Sequence, residues 1–494
     1  MGGYKMRRVK GVLILVLLWG VMMCVISCTK SSNEQEDANI VKLVWYQIGS
    51  VQKDEALVLE KVNEYIREKI GVELEIKHID IGDYNQKIQT IINTESNWDI
   101  CFTSSWVNDY FQNVEKGVFY NLEEFIKDTQ MYEDIDPRFW KAMEIEGAIY
   151  GIPSEKELGN MPVWIFTKEY VDKYNIPYES IHTLEDLEPW LEIIKENEPD
   201  VIPMYLARYT APTYMDKIVE PIGIEYGDDT YTVKNVFETE RMQSTLQTTR
   251  RYYEKGYINA DAATISDTID CKRFVVKGDG QPFSELIFKK ELGYEVVISP
   301  IMESCITNAS ARGAINAINA KSKNPKKAVE LLDLIHKDLY LRNLLNYGIE
   351  GIHWEAVEVS DEELKQAKGK PYIYDKKVHL ISDKYKDYSV IYWAQGGLFN
   401  TYVLEDEPID KWASFEEFNS TLKEAPTFGI DFELDQVKKQ VNNMNSIMEE
   451  YGKAIYTGTV DPDVYVPKLL EILEKAGISE VIDEFQKQLD KESK

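Results

Sequence analysis

Cysteine and histidine are scarce in this chain, five of each among 494 residues, and their scarcity removes several functions at once. Past the N-terminal segment only Cys101, Cys271 and Cys305 occur, an odd number without metal-ligand spacing, and the histidines at 78, 182, 336, 353 and 379 never repeat at helical ligand spacing. Neither a disulfide framework nor a zinc site is expected, and buried free thiols are. Basic charge is also short: 56 Lys and Arg stand against 85 Asp and Glu, a net charge of −29. A field of that sign repels nucleic acid and anionic lipid alike. The chain has no Gly-x-Ser-x-Gly elbow, no Gly-x4-Gly-Lys-Ser/Thr phosphate loop, no His-Glu-x2-His and no Gly-x-Gly-x2-Gly. Carboxylate pairs such as Glu155/Glu157 and Asp228/Asp229 are unavoidable in so acidic a sequence and do not by themselves make a glycosidase dyad. Asp461-Pro462-Asp463 lacks the spaced oxygen donors of a calcium loop. No catalytic residue, metal or cofactor is therefore assigned.

What the sequence does contain begins at its N-terminus. Lys5, Arg7, Arg8 and Lys10 precede an uncharged apolar run over residues 12–26, which ends in Val25-Ile26-Ser27-Cys28. A spanning helix needs about 20 apolar residues, and this run is shorter and closes on a small residue, so it reads as a signal peptide. The four residues resemble the bacterial lipobox, which implies that Cys28 receives diacylglycerol and becomes the new N-terminus. Residues 29–39, polar and free of aromatics, then read as a flexible tether holding a folded body at the extracytoplasmic face of the cell membrane. Membrane association would come from that lipid, since the rest of the chain is acidic.

From residue 40 strands and helices alternate. Residues 40–46 are apolar and β-branched; Leu59, Val62, Ile66 and Ile70 stripe a helix over 55–70 that Gly71 stops; Val72, Leu74 and Ile76 alternate with charge. Asp83 is placed to cap a helix carrying Ile88, Ile91 and Ile92, and residues 98–103 return as a buried strand. This βαβαβ order predicts a parallel sheet with ligands beyond its carboxyl ends, near residues 47–50, 78–83 and 104–108. A second α/β region follows Pro153, with strands at 163–166, 201–206 and 294–299, and residues 313–320 lead into a helix opened by Pro325. Residues 347–412 are aromatic and loop-like, and two amphipathic helices, over 433–451 and 464–489, close the chain.

In their order these segments resemble the extracellular solute-binding proteins of ABC importers, of the family 1 type associated with sugars and oligosaccharides. The stretches that carry the resemblance are the lipobox, Val41-Lys42-Leu43-Val44-Trp45, Trp98-Asp99-Ile100, Gly147-Ala148-Ile149-Tyr150-Gly151-Ile152-Pro153, residues 313–320 before Asn324-Pro325, and Asn346-Tyr347-Gly348-Ile349-Glu350-Gly351. Residues 456–463, 476–478 and 484–488 resemble a subgroup with an added helical C-terminal region. The resemblance implies two α/β lobes joined by crossing segments, with a hinge and a ligand cleft, plus C-terminal helices. On that reading residues 1–27 are signal peptide and 28–39 lipidated tether. Residues 40–152 with 299–342 form the N-terminal lobe, and 153–298 with 343–494 the C-terminal lobe. Crossings are expected near 150–153, near 298–301 and after the Pro325 helix. The partners implied are a carbohydrate ligand and the subunits of a membrane permease, with the protein acting as a monomer and binding no nucleic acid.

Sugar rings present apolar C–H faces and a rim of hydroxyls, so their sites need aromatic platforms and planar polar groups. Trp106 with Ser105, just past a strand end, is the foremost candidate, and Gln47 ends another strand. Trp354 and Trp393, with Gln395, Phe399 and Asn400, lie on glycine-containing segments where a backbone can approach ligand. Glu155, Tyr209 and Tyr214 would approach from the second lobe, whereas Trp45, Trp140, Trp164 and Trp190 are assigned to packing. A peptide-binding lipoprotein of the same architecture and a surface scaffold are the alternative readings.

Overall fold

A computed structural model describes residues 40–207, 212–265, 271–381 and 383–492. The signal peptide, Cys28, the tether and Tyr209 expected from the sequence lie outside the described residues. Two sheets organise the molecule. Their strands, in chain order, are β1 (Val41–Ile48), β2 (Val72–Ile79), β3 (Ile100–Thr103), β4 (Gly151–Pro153), β5 (Met161–Thr167), β6 (Ile202–Tyr205), β7 (Arg273–Gly280), β8 (Val296–Pro300) and β9 (Ile315–Ile318).

The first sheet has the order β2-β1-β3-β9-β4, with β1 parallel to β2 and β3, and β9 antiparallel to both β3 and β4. Such a sheet is covered on both faces, which is why β1 reads as a nearly unbroken apolar run and buries Leu43, Trp45, Tyr46 and Ile48. The helix Glu55–Ile70 buries Val58, Val62 and Ile66, one stripe at four-residue spacing, and ends where Gly71 turns left-handed at φ 65°. Asp83 precedes the helix Tyr84–Thr94 without a side-chain cap; its carboxylate is drawn instead to Lys87, 2.9 Å away. The second sheet, β8-β5-β7-β6, is mixed: β5 runs antiparallel to β7 and β8, and β7 parallel to β6. Separate cores lie on its two faces, one with Trp164, Phe166, Leu191 and Phe274, the other with Val163, Ile165 and Val276.

Three passages join the sheets. The first two follow β4 and β8, over residues 154–160 and 301–307, just beyond the positions expected from sequence. The third is not after the helix Pro325–Lys337, which packs its Leu331, Leu332 and Ile335 into the first core. It runs over residues 422–431, where Lys423–Glu424 pairs in parallel with Cys305–Ile306, and Cys305 bridges Asn160. All three passages therefore lie side by side.

The C-terminal helices are three: Lys438–Tyr456, Pro462–Ala476 and Ile478–Glu492. The single helix expected over 464–489 is broken at Gly477, whose φ of 95° and close approach to Gln440 leave no room for a side chain. Their apolar faces join Ile224, Phe237 and Leu246 of the second lobe in one core through Met444, Leu469 and Phe485. The two-lobed α/β architecture with C-terminal helices is thus present.

Candidate functional site

The carboxyl ends of β1, β2, β3 and β4 and those of β6 and β7 face the passages, and the side chains that follow them line a cleft between the sheets. On the first sheet β3 runs straight into Ser104-Ser105-Trp106. Ser104 and Thr103 are fully buried, while Trp106 is 50% exposed, the most exposed tryptophan side chain at this end of the molecule. Its ring is nonetheless fixed. The indole Nε1 donates to the Gly313 carbonyl at 2.9 Å, Ser105 N donates to the Arg312 carbonyl at 2.9 Å, and Ser105 Oγ donates to the Ala309 carbonyl at 2.8 Å. Trp393 stands beside it at 6.2 Å between ring centroids, and Phe102 of β3 lies 5.9 Å from Trp393 and 6.1 Å from Trp106. Trp106 and Trp393 thus stand as adjacent tilted rings, backed by the fully buried Phe102.

Trp393 reaches this position because the turn carrying it is held from below. Arg342, fully buried, donates to the Tyr392 carbonyl at 2.9 Å and the Gly397 carbonyl at 2.8 Å. Burial lowers its pKa to about 10, so the guanidinium stays charged at neutral pH. Asn316 Nδ2 donates to the Ala394 carbonyl at 3.0 Å, and Gln395 Nε2 to Gln47 Oε1 at 3.3 Å. Gln47 Nε2 and Gln395 Oε1 are buried and have no hydrogen-bond partner among the described residues. Two amides expected at the site are therefore brought together with capacity left over.

The opposite wall belongs to the second lobe. A cavity of about 180 Å³ is lined by Asn160, Lys277 and Asp279 near the ends of β5 and β7, by Tyr214 and Met215 beyond β6, and by Ser310. Thr307 and Ser310 bring the turn that carries Gly313 to one side of this cavity. Lys277 and Asp279 form a loose ion pair at 3.7 Å, and Lys156 pairs with Glu157 where the first passage leaves β4.

Several expected contacts are packed elsewhere. Trp354 is 4% exposed, donates its Nε1 to the Gly348 carbonyl at 3.1 Å, and packs on Tyr347 and Tyr402. Phe399 is buried against Tyr372, Trp412 and Phe415. Asn400 caps the end of the helix Pro325–Lys337, donating to the carbonyls of Ile335 and His336. These three are structural, because the loop-like stretch from 354 to 415 makes small cores of its own. Tyr214 lines the cavity but is itself buried, with the Arg241 guanidinium 3.6 Å above its ring. Glu155 lies under the 397–398 backbone, its carbonyl accepting from Leu398 N at 2.8 Å. Burial first, then Asp134, Asp136 and Glu416, push its carboxyl up to about 8. Sequence reasoning missed Phe102, Lys156, Asn160, Lys277 and Asp279. Their positions follow from strand ends meeting across the passages, and only the neighbourhood of Pro153 carried any signal for them.

Comparisons with known proteins bear on the fold and the family. Residues 426–491 match a domain of unknown function, DUF3502. A carbohydrate ABC transporter substrate-binding protein of Streptococcus pneumoniae is 29% identical over 476 residues, 94% of this chain and 92% of that one. The crystal structure of the N-glycan transport solute binding protein NgtS, from Streptococcus pneumoniae, is 29% identical, covers 91% of this chain and 98% of its own, and superposes with a TM-score of 0.81. Its complex with Man1GlcNAc, at 29% identity over 91% and 99%, scores 0.72, and its complex with Man5GlcNAc, at 30% identity over 91% and 98%, scores 0.68. Lipoprotein LipO of Bacillus subtilis is 22% identical over 58% of this chain and 62% of its own.

Proposed function

The chain belongs to the solute-binding proteins of ABC importers, and we propose that it is the lipid-anchored component that captures an oligosaccharide between its lobes and delivers it to a membrane permease. The observation that carries this reading is Trp106: half-exposed at a strand end, yet pinned through its indole nitrogen and flanked by Trp393. An exposed ring held rigid offers its apolar face to the C–H face of a sugar at little entropic cost, whereas an idle surface tryptophan has no reason to be fixed. Lys156, beside Gly313, with its partner Glu157, and the pair Lys277/Asp279 at the cavity are the groups offered to read hydroxyls, while the Gln47 and Gln395 amides are buried with a donor and an acceptor to spare. Nothing in this set needs to do chemistry, and the protein acts by binding alone.

The glycan class is supported by the relative crystallised with Man1GlcNAc and Man5GlcNAc. That one relative superposes on this chain with TM-scores of 0.72 and 0.68 in its two glycan complexes, against 0.81 in its other crystal structure. This supports two lobe arrangements, with the present one apart from that of the glycan complexes. Ligand contacting both walls would favour the closed arrangement, which the permease would recognise. The lipobox at Cys28 and the lipoprotein relative support anchoring at the extracytoplasmic face.

Isothermal titration of the soluble chain with Man5GlcNAc and with a peptide of similar size tests the reading. The glycan is expected to bind and the peptide not, with Trp106→Ala weakening the glycan by about tenfold or more. Binding of the peptide alone would overturn it.

A further inference from the structure

The backbone of the Trp106 loop is tied within itself through Ser104 and Asn108, but the Ser105 hydroxyl and the Trp106 indole are held from the turn over residues 308–313, whose carbonyls at Ala309, Arg312 and Gly313 accept from Ser105 and Trp106. That turn is in turn gripped by a short strap at the start of the C-terminal region. Asn308 exchanges hydrogen bonds with the strap, donating from Nδ2 to the Ile430 carbonyl at 2.7 Å and accepting at Oδ1 from Gly429 N at 2.8 Å. Arg312, 4% exposed, is held by both Asp431 carboxylate oxygens, one of them at 2.7 Å, and by the Ala142 carbonyl at 2.6 Å. The same strap also touches the other wall: Thr427 N and Oγ1 both donate to Asp216 Oδ2 at 2.7 Å, two residues beyond Tyr214.

We propose that Asp431 is a positioning residue for ligand capture: through Arg312 and the turn 308–313 it holds the Trp106 platform, and the C-terminal region is thereby a working part of the binding device. The physical reason is the guanidinium. Buried and forked, it needs a bidentate acceptor, and Asp431 is the carboxylate that supplies one. Removing that charge leaves a buried cation seeking another partner, and the carbonyls of its own turn, those that hold Ser105 and Trp106, must shift with it. The link runs from the region matching DUF3502 to the ligand face through named contacts and needs no movement of the lobes.

The affinity part of the test rests on the oligosaccharide reading; the spectroscopic part does not. Soluble protein beginning after Cys28 is labelled with 5-fluorotryptophan, and the Trp106 signal among its nine tryptophans is assigned with Trp106→Phe. In Asp431→Asn the Trp106 fluorine resonance is expected to move or broaden while that of Trp190 stays, and the Kd for Man5GlcNAc to rise about tenfold. Asp431→Glu, which keeps the charge but displaces it, is expected to retain the fold and still shift the Trp106 signal. Asp463→Asn, which alters an exposed acid bonded to Gln247, is expected to change neither. An unshifted Trp106 resonance in both Asp431 variants would overturn the proposal. If wild-type protein bound no glycan, the functional reading would fall while the fluorine signal still decided this one.

Discussion

Glu155 is a carboxyl placed among other acids, with Asp134, Asp136 and Glu416 raising its pKa and His336, Tyr372 and Tyr374 close to the same spot. Its ordinary value is 4.5 and its folded value about 8, so the folded chain holds this proton where the unfolded chain releases it. The stability it contributes is full below about 4.5 and is lost as pH rises through about 8. Glu155→Gln keeps the neutral amide at every pH. Thermal unfolding is expected to give similar midpoints for wild type and variant near pH 5, and a midpoint higher by several degrees for the variant near pH 9; equal midpoints at both would contradict the buried-acid account. Trp354 offers the complementary test. Trp354→Ala is expected to cost about 3–5 kcal/mol in denaturant unfolding and to leave glycan affinity unchanged in the folded protein. The sequence placed Trp354 and Trp393 on equal terms, since both follow or precede glycines in irregular stretches. What separates them is the partner at a distance: Gly348 takes the indole hydrogen of one, while Arg342 fixes the turn of the other so that its ring meets Trp106. That Trp106 follows a parallel strand and stands exposed was readable from sequence, because position after a strand is a local property.

Elements with strong periodicity were readable almost to the residue. The helix Glu55–Ile70 begins and ends where its stripe and Gly71 put it. The C-terminal helices were harder, because helix-forming residues on both sides of Gly477 hide a break made by the left-handed backbone of that one glycine. The turn between the first two C-terminal helices makes a sharper test of how they dock. Gly458 has φ 69°, and a Cβ there would lie 2.6 Å from the Thr249 carbonyl oxygen of the helix Glu240–Glu254, to which Arg250 also binds the turn. Gly458→Ala is expected to cost about 2 kcal/mol or more in urea unfolding. A neutral substitution would mean that the turn does not bear on that helix. The third passage, at 422–431, was not readable at all: it has no period, and the side chains that fix it, Asp216 and Arg312, lie 211 and 119 residues away in sequence.

At the scale of the whole molecule, three passages that run side by side join the two sheets, and the C-terminal helices pack on the second lobe while their strap bonds Asn308 and Arg312 on one side and Asp216 on the other. The order of strands and helices disclosed the two-lobed class; it could not disclose which walls meet, because that depends on how 154–160, 301–307 and 422–431 lie beside one another. The central claim is that an oligosaccharide bound at the Trp106 platform draws the lobes together. Small-angle X-ray scattering of the soluble chain, with and without saturating Man5GlcNAc, measures this directly. The radius of gyration is expected to fall when glycan is added to wild type and to stay unchanged in Trp106→Ala at the same concentration. Glycan that binds wild type while leaving its radius of gyration unaltered would contradict the account.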